Sequence, residues 1–131
     1  MERIRFVTHR GQRILLVDYT HCSAAEVAHI ADSAPPIVTK EPAGSLLLLA
    51  DFTGAEFTRE TVEHMKVAAA LDKRHLKRDA WVLDQNLPKA LYDSIRNFST
   101  RELPIFPTRE AALEYLVRET SNQHSAVSTQ P

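Results

Sequence analysis

The sequence predicts a single α/β domain in which a mixed, mostly parallel sheet of four to five strands is flanked by about four helices. The apolar run at residues 46–50 is short, is bounded by turn residues and has the character of a buried central strand. From the second strand onwards, predicted strands and helices alternate, which is typical of a parallel sheet with right-handed crossovers. No helix fits between the first two strands, so they form a hairpin that adds one antiparallel pair.

The N-terminal half begins with that hairpin. Short, loosely alternating segments at residues 4–8 and 14–19 are its predicted strands, and Gly11 can supply the positive φ of the turn between them. Residues 23–26 form a capping box, and apolar residues then recur at helical spacing as far as Ala34. A first helix is therefore predicted between the hairpin and the central strand.

The longest helix is predicted to follow the central strand. Thr58 is its expected N-cap, and helical spacing of apolar residues continues over residues 59–77. Residues 80–84 are predicted as the next strand, with Trp81 in the core.

Two more helices and a short strand complete the predicted fold. One helix starts near Pro88, and the strand at residues 103–106 is assigned to a sheet edge because it contains Pro104. Thr108 is the predicted cap of the last helix. The predicted inner face of the helix after Pro88 consists of Leu87, Leu91, Ile95 and Phe98.

Length and composition limit the class of protein. A chain of 131 residues with 44% hydrophobic residues fits one domain, and a net charge of −1 provides no field for nucleic acid or an anionic membrane. The apolar runs are too short to span a bilayer, and the N-terminus lacks the apolar core of a signal peptide. Cys22 is the only cysteine, so no internal disulfide is expected. We therefore predict a cytoplasmic protein with a folded domain at residues 1–118 and a disordered tail at residues 119–131.

Several short motifs are informative through their order and spacing. They are Val17-Asp18-Tyr19, Ser23-Ala24-Ala25-Glu26, Leu49-Ala50-Asp51-Phe52-Thr53-Gly54, Phe57-Thr58, Phe98-Ser99-Thr100-Arg101 and Phe106-Pro107-Thr108-Arg109-Glu110-Ala111-Ala112-Leu113. Together they resemble the SpoIIAA-like family, which is related to the STAS domains of anti-sigma-factor antagonists and is compared with SEC14-like lipid-binding domains. The resemblance covers residues 4–118 and implies a small sheet flanked by helices, but little about activity.

The resemblance also points to a phosphorylation site. Anti-sigma-factor antagonists carry Asp-Ser-Ser-Gly at the start of the helix that follows the corresponding strand, and a serine there accepts phosphate. Residues 59–62 of this chain are Arg-Glu-Thr-Val, so only the hydroxyl of Thr61 is retained, at the position of that serine. The resemblance therefore implies Thr61 as the candidate phosphoacceptor, and an added phosphate would need a nearby cation such as Arg59.

The carboxyl end of the central strand is the predicted binding site, because open α/β sheets bind ligands at that edge. Candidate residues for binding a ligand or partner are Asp51, Phe52, Thr53, Thr58 and Arg59. Asp51 can instead serve only the turn, by accepting main-chain hydrogen bonds, and Thr58 can serve only as a cap. Arg59 can bind an anionic group with its planar fork or pair with Glu63 one turn along.

No catalytic or metal-binding motif is present in the sequence. The six histidines lack the spacing of a helical zinc site, and Cys22 has neither a second cysteine nor an identifiable base. The basic residues 73–78 are flanked by Asp72 and Asp79, a pattern typical of a solvated helix end and too small for a nucleic-acid footprint. We therefore expect no metal, no cofactor and no nucleic-acid partner.

The sequence thus favours a non-catalytic regulatory or ligand-binding module whose partner is a protein or a small amphipathic ligand. The alternative is binding of a lipid or another amphipathic small molecule in a pocket between helices and sheet, by analogy with SEC14-like domains. An apolar cavity of several hundred Å³ would favour that alternative. An enzyme ranks third, because it would need an acid or base with a shifted pKa in a cleft.

Overall fold

Residues 2–118, which the computed structural model describes, form one sheet with helices on both faces. The strands are β1 (Ile4–His9), β2 (Gln12–Asp18), β3 (Leu46–Asp51), β4 (Leu76–Val82) and β5 (Ile105–Phe106). The helices are α1 (Ala24–Ser33), α2 (Pro35–Val38), α3 (Arg59–Asp72), α4 (Lys89–Ser99) and α5 (Arg109–Leu116), and a 3₁₀ turn (Lys73–His75) joins α3 to β4. The predicted disordered tail at residues 119–131 lies outside the described residues.

The sheet confirms the predicted fold class. The strand order is β1-β2-β3-β4-β5, with β1 antiparallel to β2 and every other neighbouring pair parallel. All six residues of β3 are buried, as expected of the central strand. Arg10 and Gly11 both have positive φ (51° and 77°), which is the geometry of a tight hairpin turn. The short β5 lies at the edge of the sheet, as the presence of Pro104 predicted.

The strand order decides which face of the sheet each helix covers. Strands β2 to β5 follow one another in sequence, so their three crossovers all step in the same direction, and crossovers of one hand place their helices on one face. Helices α1 to α4 lie there, over an apolar cluster that includes Leu15, Leu48 and Trp81. We call this the four-helix face. Of the helices in residues 2–118, only α5 lies on the opposite, one-helix face, where it packs over β3, β4 and β5.

Two details of the helices differ from the sequence prediction. Helix α3 ends at Asp72 rather than near residue 77, because Leu76 already pairs with Leu46 of β3 and strand pairing overrides the helical propensity of the basic run. Phe98 is 57% exposed instead of facing inwards. Ser99 is buried in its place, and its hydroxyl donates to the Ile95 carbonyl at 2.7 Å.

Candidate functional site

The carboxyl ends of β2 and β3 carry the same local structure. Asp18 Oδ1 accepts hydrogen bonds from the main-chain N–H (3.0 Å) and the hydroxyl (2.6 Å) of Thr20. Asp51 Oδ1 accepts the same two bonds from Thr53, at 3.0 and 2.7 Å. The structural interpretation of Asp51 is therefore confirmed: it closes an Asx turn. Asp18, which the sequence analysis did not select, does the same one strand away.

Strand register brings these two turns side by side. Asp18 and Asp51 are paired positions of the parallel strands. The following residues, Tyr19 and Phe52, stack with ring centroids 4.3 Å apart and belong to the core of the four-helix face. Because successive side chains of a strand point to opposite faces, the two carboxylates lie on the one-helix face.

Arg109, the first residue of α5, joins the two carboxylates. Its Nε donates to Asp51 Oδ2 at 2.8 Å, and its Nη2 lies 3.7 Å from Asp18 Oδ1. Arg3 and Arg5 also approach Asp18, with their Nη1 atoms 3.5 and 3.9 Å from its carboxylate oxygens. We call these five residues the aspartate–arginine cluster.

The cluster favours the ionised form of Asp18. Burial of Asp18 raises the pKa of that carboxyl, but hydrogen bonds from Thr20 and the charges of Arg109 and Arg3 outweigh burial, so its pKa lies below the ordinary value of 3.8. The side chain of Asp51 is only 5% exposed, whereas that of Arg109 is 32% exposed. Arg109 thus compensates a buried charge and still reaches solvent.

A cleft opens beside the cluster, between α5 and the β1–β2 hairpin. Its volume is about 190 Å³, and its floor is apolar. It is lined by Arg5, Val7, Thr8, His9, Ile14, Leu16, Leu49, Arg109 and Leu113. Arg10 Nε donates to Glu114 Oε2 at 2.9 Å, and His9 Nε2 lies 2.8 Å from the same oxygen, so a second ion pair connects the hairpin to α5. The cleft exists because α5 covers β3 to β5 and leaves this side of the hairpin open.

The five predicted binding residues do not form one surface. Phe52 is only 1% exposed and lies in the core of the four-helix face, opposite the carboxylate of Asp51. Thr53 serves the Asx turn of Asp51. Thr58 is the N-cap of α3, and its Oγ1 accepts the Thr61 N–H at 3.1 Å. The predicted groove is therefore divided by the sheet.

Arg59 lacks the ion pair suggested for it, and Thr61 is buried. Arg59 is exposed and forms no ion pair within residues 2–118, and the suggested partner Glu63 pairs with Lys66 at 2.9 Å instead. Thr61 is 2% exposed, and its hydroxyl donates to the Ala24 carbonyl at 3.2 Å. A kinase could reach this hydroxyl only after the start of α3 had separated from α1.

An apolar groove of about 500 Å³ lies on the surface beside α4 and is bordered by Leu83, Leu87 and Tyr92, and the core of the four-helix face contains a small cavity. The volume of this cavity is about 30 Å³, which is enough for one water molecule. Asp72 Oδ1 and Arg101 Nε border it without a hydrogen-bond partner in the described residues. Burial is the largest influence on Asp72 and raises its pKa to about 6, although the charges of Arg101 and His75 act in the opposite direction.

The loop after β4 fixes the turn that follows β3. The amide of Asn86 donates to the carbonyls of Phe52 (3.0 Å) and Ala55 (2.7 Å).

Gly54 has a φ of 72°, and a side-chain carbon there would lie 2.3 Å from Nδ1 of His21. This position therefore accepts only glycine without a rearrangement.

Other chemistries have little support in the described residues. No group of three or more His, Cys, Asp or Glu side chains in residues 2–118 is arranged to hold a metal ion, and no helix there is long and apolar enough to cross a membrane. Cys22 is 1% exposed, and burial raises the pKa of its thiol.

The binding-site prediction missed Asp18, Arg109 and the cleft. The sequence does contain one signal for Asp18, since Asp-Tyr-Thr at residues 18–20 repeats the pattern of Asp-Phe-Thr at residues 51–53. Nothing in the sequence pairs Arg109 with these carboxylates, because 58 residues separate it from Asp51. Comparison of the chain with protein-family models finds no match, and comparisons with curated proteins and with solved structures find none either.

Proposed function

We propose that this protein is a non-catalytic ligand-binding module, and that its ligand is a small amphipathic anion held in the cleft of the one-helix face. The observation that carries the proposal is the combination of an apolar floor with two guanidinium groups in one concave site. Small-molecule sites are typically apolar clefts with a few polar groups that fix the orientation of the ligand.

The two arginines retain donors for an anion. Arg109 uses Nε and Nη2 towards the two aspartates, and Arg5 uses Nη1 towards Asp18 and the Glu2 carbonyl. No hydrogen bond within residues 2–118 occupies Nη1 of Arg109 or Nη2 of Arg5. Guanidinium groups recognise carboxylates through paired N–H donors, so a carboxylate is the anion that suits this end of the cleft.

The dimensions of the cleft favour a short ligand. A volume of about 190 Å³ is below the usual range for the sites of drug-sized ligands. The cavity on the four-helix face is smaller still, at about 30 Å³. The volume of the cleft supports a short aliphatic carboxylate as its ligand rather than a long-chain lipid.

Calorimetric titration with hexanoate and hexanol tests this proposal. We expect hexanoate to bind the wild-type protein at least tenfold more tightly than hexanol, because only the carboxylate engages the arginines. Leu113→Trp, which fills the cleft, should abolish binding, and Arg5→Gln should weaken it at least tenfold. Lys89→Gln, an exposed change on α4, is the matched control and should bind normally.

Equal affinity for hexanoate and hexanol would contradict the role of the arginines. Undiminished binding to Leu113→Trp would place the ligand elsewhere and would overturn the proposed site. Circular dichroism of each variant establishes that the fold is retained before binding is compared.

A further inference from the structure

The first half of β4 has an open edge. Strand β5 pairs only with Trp81 and Val82, through hydrogen bonds from Trp81 N to the Pro104 carbonyl (2.8 Å) and from Leu83 N to the Phe106 carbonyl (3.3 Å). Main-chain groups of consecutive strand residues point to opposite neighbouring strands, so those of Asp79 point to the same side as those of Trp81, two residues on. They have no main-chain partner within residues 2–118.

Pro104 is the reason that the pairing stops. The next hydrogen bond of this parallel ladder would run from the N–H of residue 104 to the Asp79 carbonyl, and proline has no N–H. The preceding residue, Leu103, has a φ of 50° and turns the chain away from β4. The open edge is therefore fixed by the sequence.

A groove of about 470 Å³ runs along this edge, at the end of the sheet away from the aspartate–arginine cluster. One wall is the start of β4, and the other is the segment at residues 100–104. The groove is lined by Lys73, Leu76, Lys77, Arg78, Asp79, Thr100, Arg101, Glu102, Pro104 and Tyr115.

The charges in and beside the groove are mainly positive. Lys73, Arg74 and Lys77 are exposed and have no carboxylate partner within residues 2–118, and Lys73 Nζ donates only to the Thr100 hydroxyl. The carboxylate of Asp79 is neutralised by the buried guanidinium of Arg101. An anionic occupant is therefore favoured over a neutral or cationic one.

We propose that this groove docks an extended acidic peptide segment of a partner protein, which adds to β4 as a short strand in line with β5. The main chain of Asp79 would supply hydrogen bonds, and the exposed cations would select for acidic side chains. The open length of β4 accommodates about four residues at 3.3 Å each. This surface is additional to the small-anion cleft, which lies on the other side of α5.

Selection from a display library of random octapeptides against the full chain provides the probe for this proposal. We expect the selected sequences to be enriched in Asp and Glu. When the best selected peptide is added, the Asp79 amide should exchange with solvent at least tenfold more slowly. The double variant Lys73→Glu/Lys77→Glu should bind that peptide at least tenfold more weakly. Arg59→Glu/Lys89→Glu, a matched reversal of two exposed cations elsewhere, should bind it normally.

Three outcomes would overturn this inference. They are a selection without acidic enrichment, an acidic peptide that leaves the Asp79 amide unprotected, and affinity that survives the reversal of Lys73 and Lys77. Each would mean that lysines and a proline simply protect the edge from pairing. Hexanoate binding is measured on the same variants and should be unchanged, so failure of one proposal is distinguishable from failure of the other.

Discussion

The two faces of the sheet are built from the same strands and have opposite properties. On the four-helix face, residues such as Leu48 and Phe52 are buried under α1 to α4, and the cavity enclosed in their core is only about 30 Å³. On the one-helix face, Leu16 and Leu49 are also buried, but they lie at the floor of a cleft of about 190 Å³ beside α5. The difference comes from topology rather than composition, because both faces present aliphatic residues.

Topology also explains why the proposed cleft lies beside α5 rather than in a crevice between diverging helices. Ligands bind open α/β sheets at a point where the strand order reverses and the flanking helices diverge to opposite faces. The order here runs from β1 to β5 without reversal, so the carboxyl edge has no such crevice. The proposed cleft is found instead alongside α5, between that helix and the β1–β2 hairpin.

The largest expected contrast between the faces is in stability. Phe52→Ala should lower the free energy of unfolding by about 3–5 kcal/mol, since the ring is fully buried and stacks on Tyr19. Leu113→Ala should cost less than about 2 kcal/mol, because its side chain borders the open cleft. Urea denaturation measures both values. Equal losses would show that the two faces contribute alike.

The buried carboxyl of the four-helix face should make stability depend on pH. The pKa of Asp72 is raised to about 6 in the folded state, so ionisation opposes folding. The contribution of the neutral carboxyl is fully present below its ordinary pKa of 3.8 and is lost as pH rises through about 6. Asp72→Asn should therefore stabilise the protein at pH 7, by at most about 3 kcal/mol, and hardly at all at pH 4.

Denaturation of this variant at several pH values measures the effect. Glu56→Gln, which removes an exposed carboxyl, is the control and should show no such pH dependence. A constant difference between Asp72→Asn and wild type from pH 4 to pH 7 would mean that Asp72 is solvated.

The ion pairs of the one-helix face should contribute less to stability than the buried groups of the four-helix face. Arg109→Gln leaves the buried Asp51 carboxylate without its cation, and we expect a loss of about 2 kcal/mol because the arginine is itself one-third exposed. Arg109 also helps to lower the pKa of Asp18, whose contribution to stability is lost as pH falls. Acid unfolding of the variant should therefore begin at a higher pH than in wild type. Adding Asp51→Asn should restore part of the lost stability; no recovery would argue against a direct pairing.

Helix caps should be the smallest effect and should not distinguish the faces. Thr58 caps α3 and Thr108 caps α5 with the same side-chain hydrogen bond, at 3.1 Å in both cases. Replacing either by alanine should cost about 1 kcal/mol, and replacing either by serine should cost much less. Thermal unfolding of the four variants tests this, and a strongly unequal pair of alanine values would show that one cap has an additional role.

Local features of this chain could be predicted because local physics determines them. The hairpin, the capping box at Ser23, the caps at Thr58 and Thr108, and the buried β3 all depend on residues within a few positions of one another. Asp51 closes its turn for the same reason. Sequence spacing is sufficient for such features.

Non-local features could not be predicted in this way. The end of α3 is set by strand pairing between Leu46 and Leu76, and periodicity alone continued the helix through the basic run. The ion pair between Arg109 and Asp51 depends on the register of β2 on β3 and on the position of α5. The spacing of neighbouring residues predicts neither of them. The cleft and the open edge of β4 likewise follow from strand order and from the absence of one N–H in Pro104.

The contacts between the β1–β2 hairpin and α5 limit how much of this fold can form during translation. His9 and Glu114 are 105 residues apart, and Asp18 and Asp51 receive Arg109 only when α5 is in place. A nascent chain that has already made the hairpin and β3 thus carries two carboxylates without this counter-ion and an uncovered aliphatic surface. The one-helix face can therefore reach its native packing only after α5 has been translated.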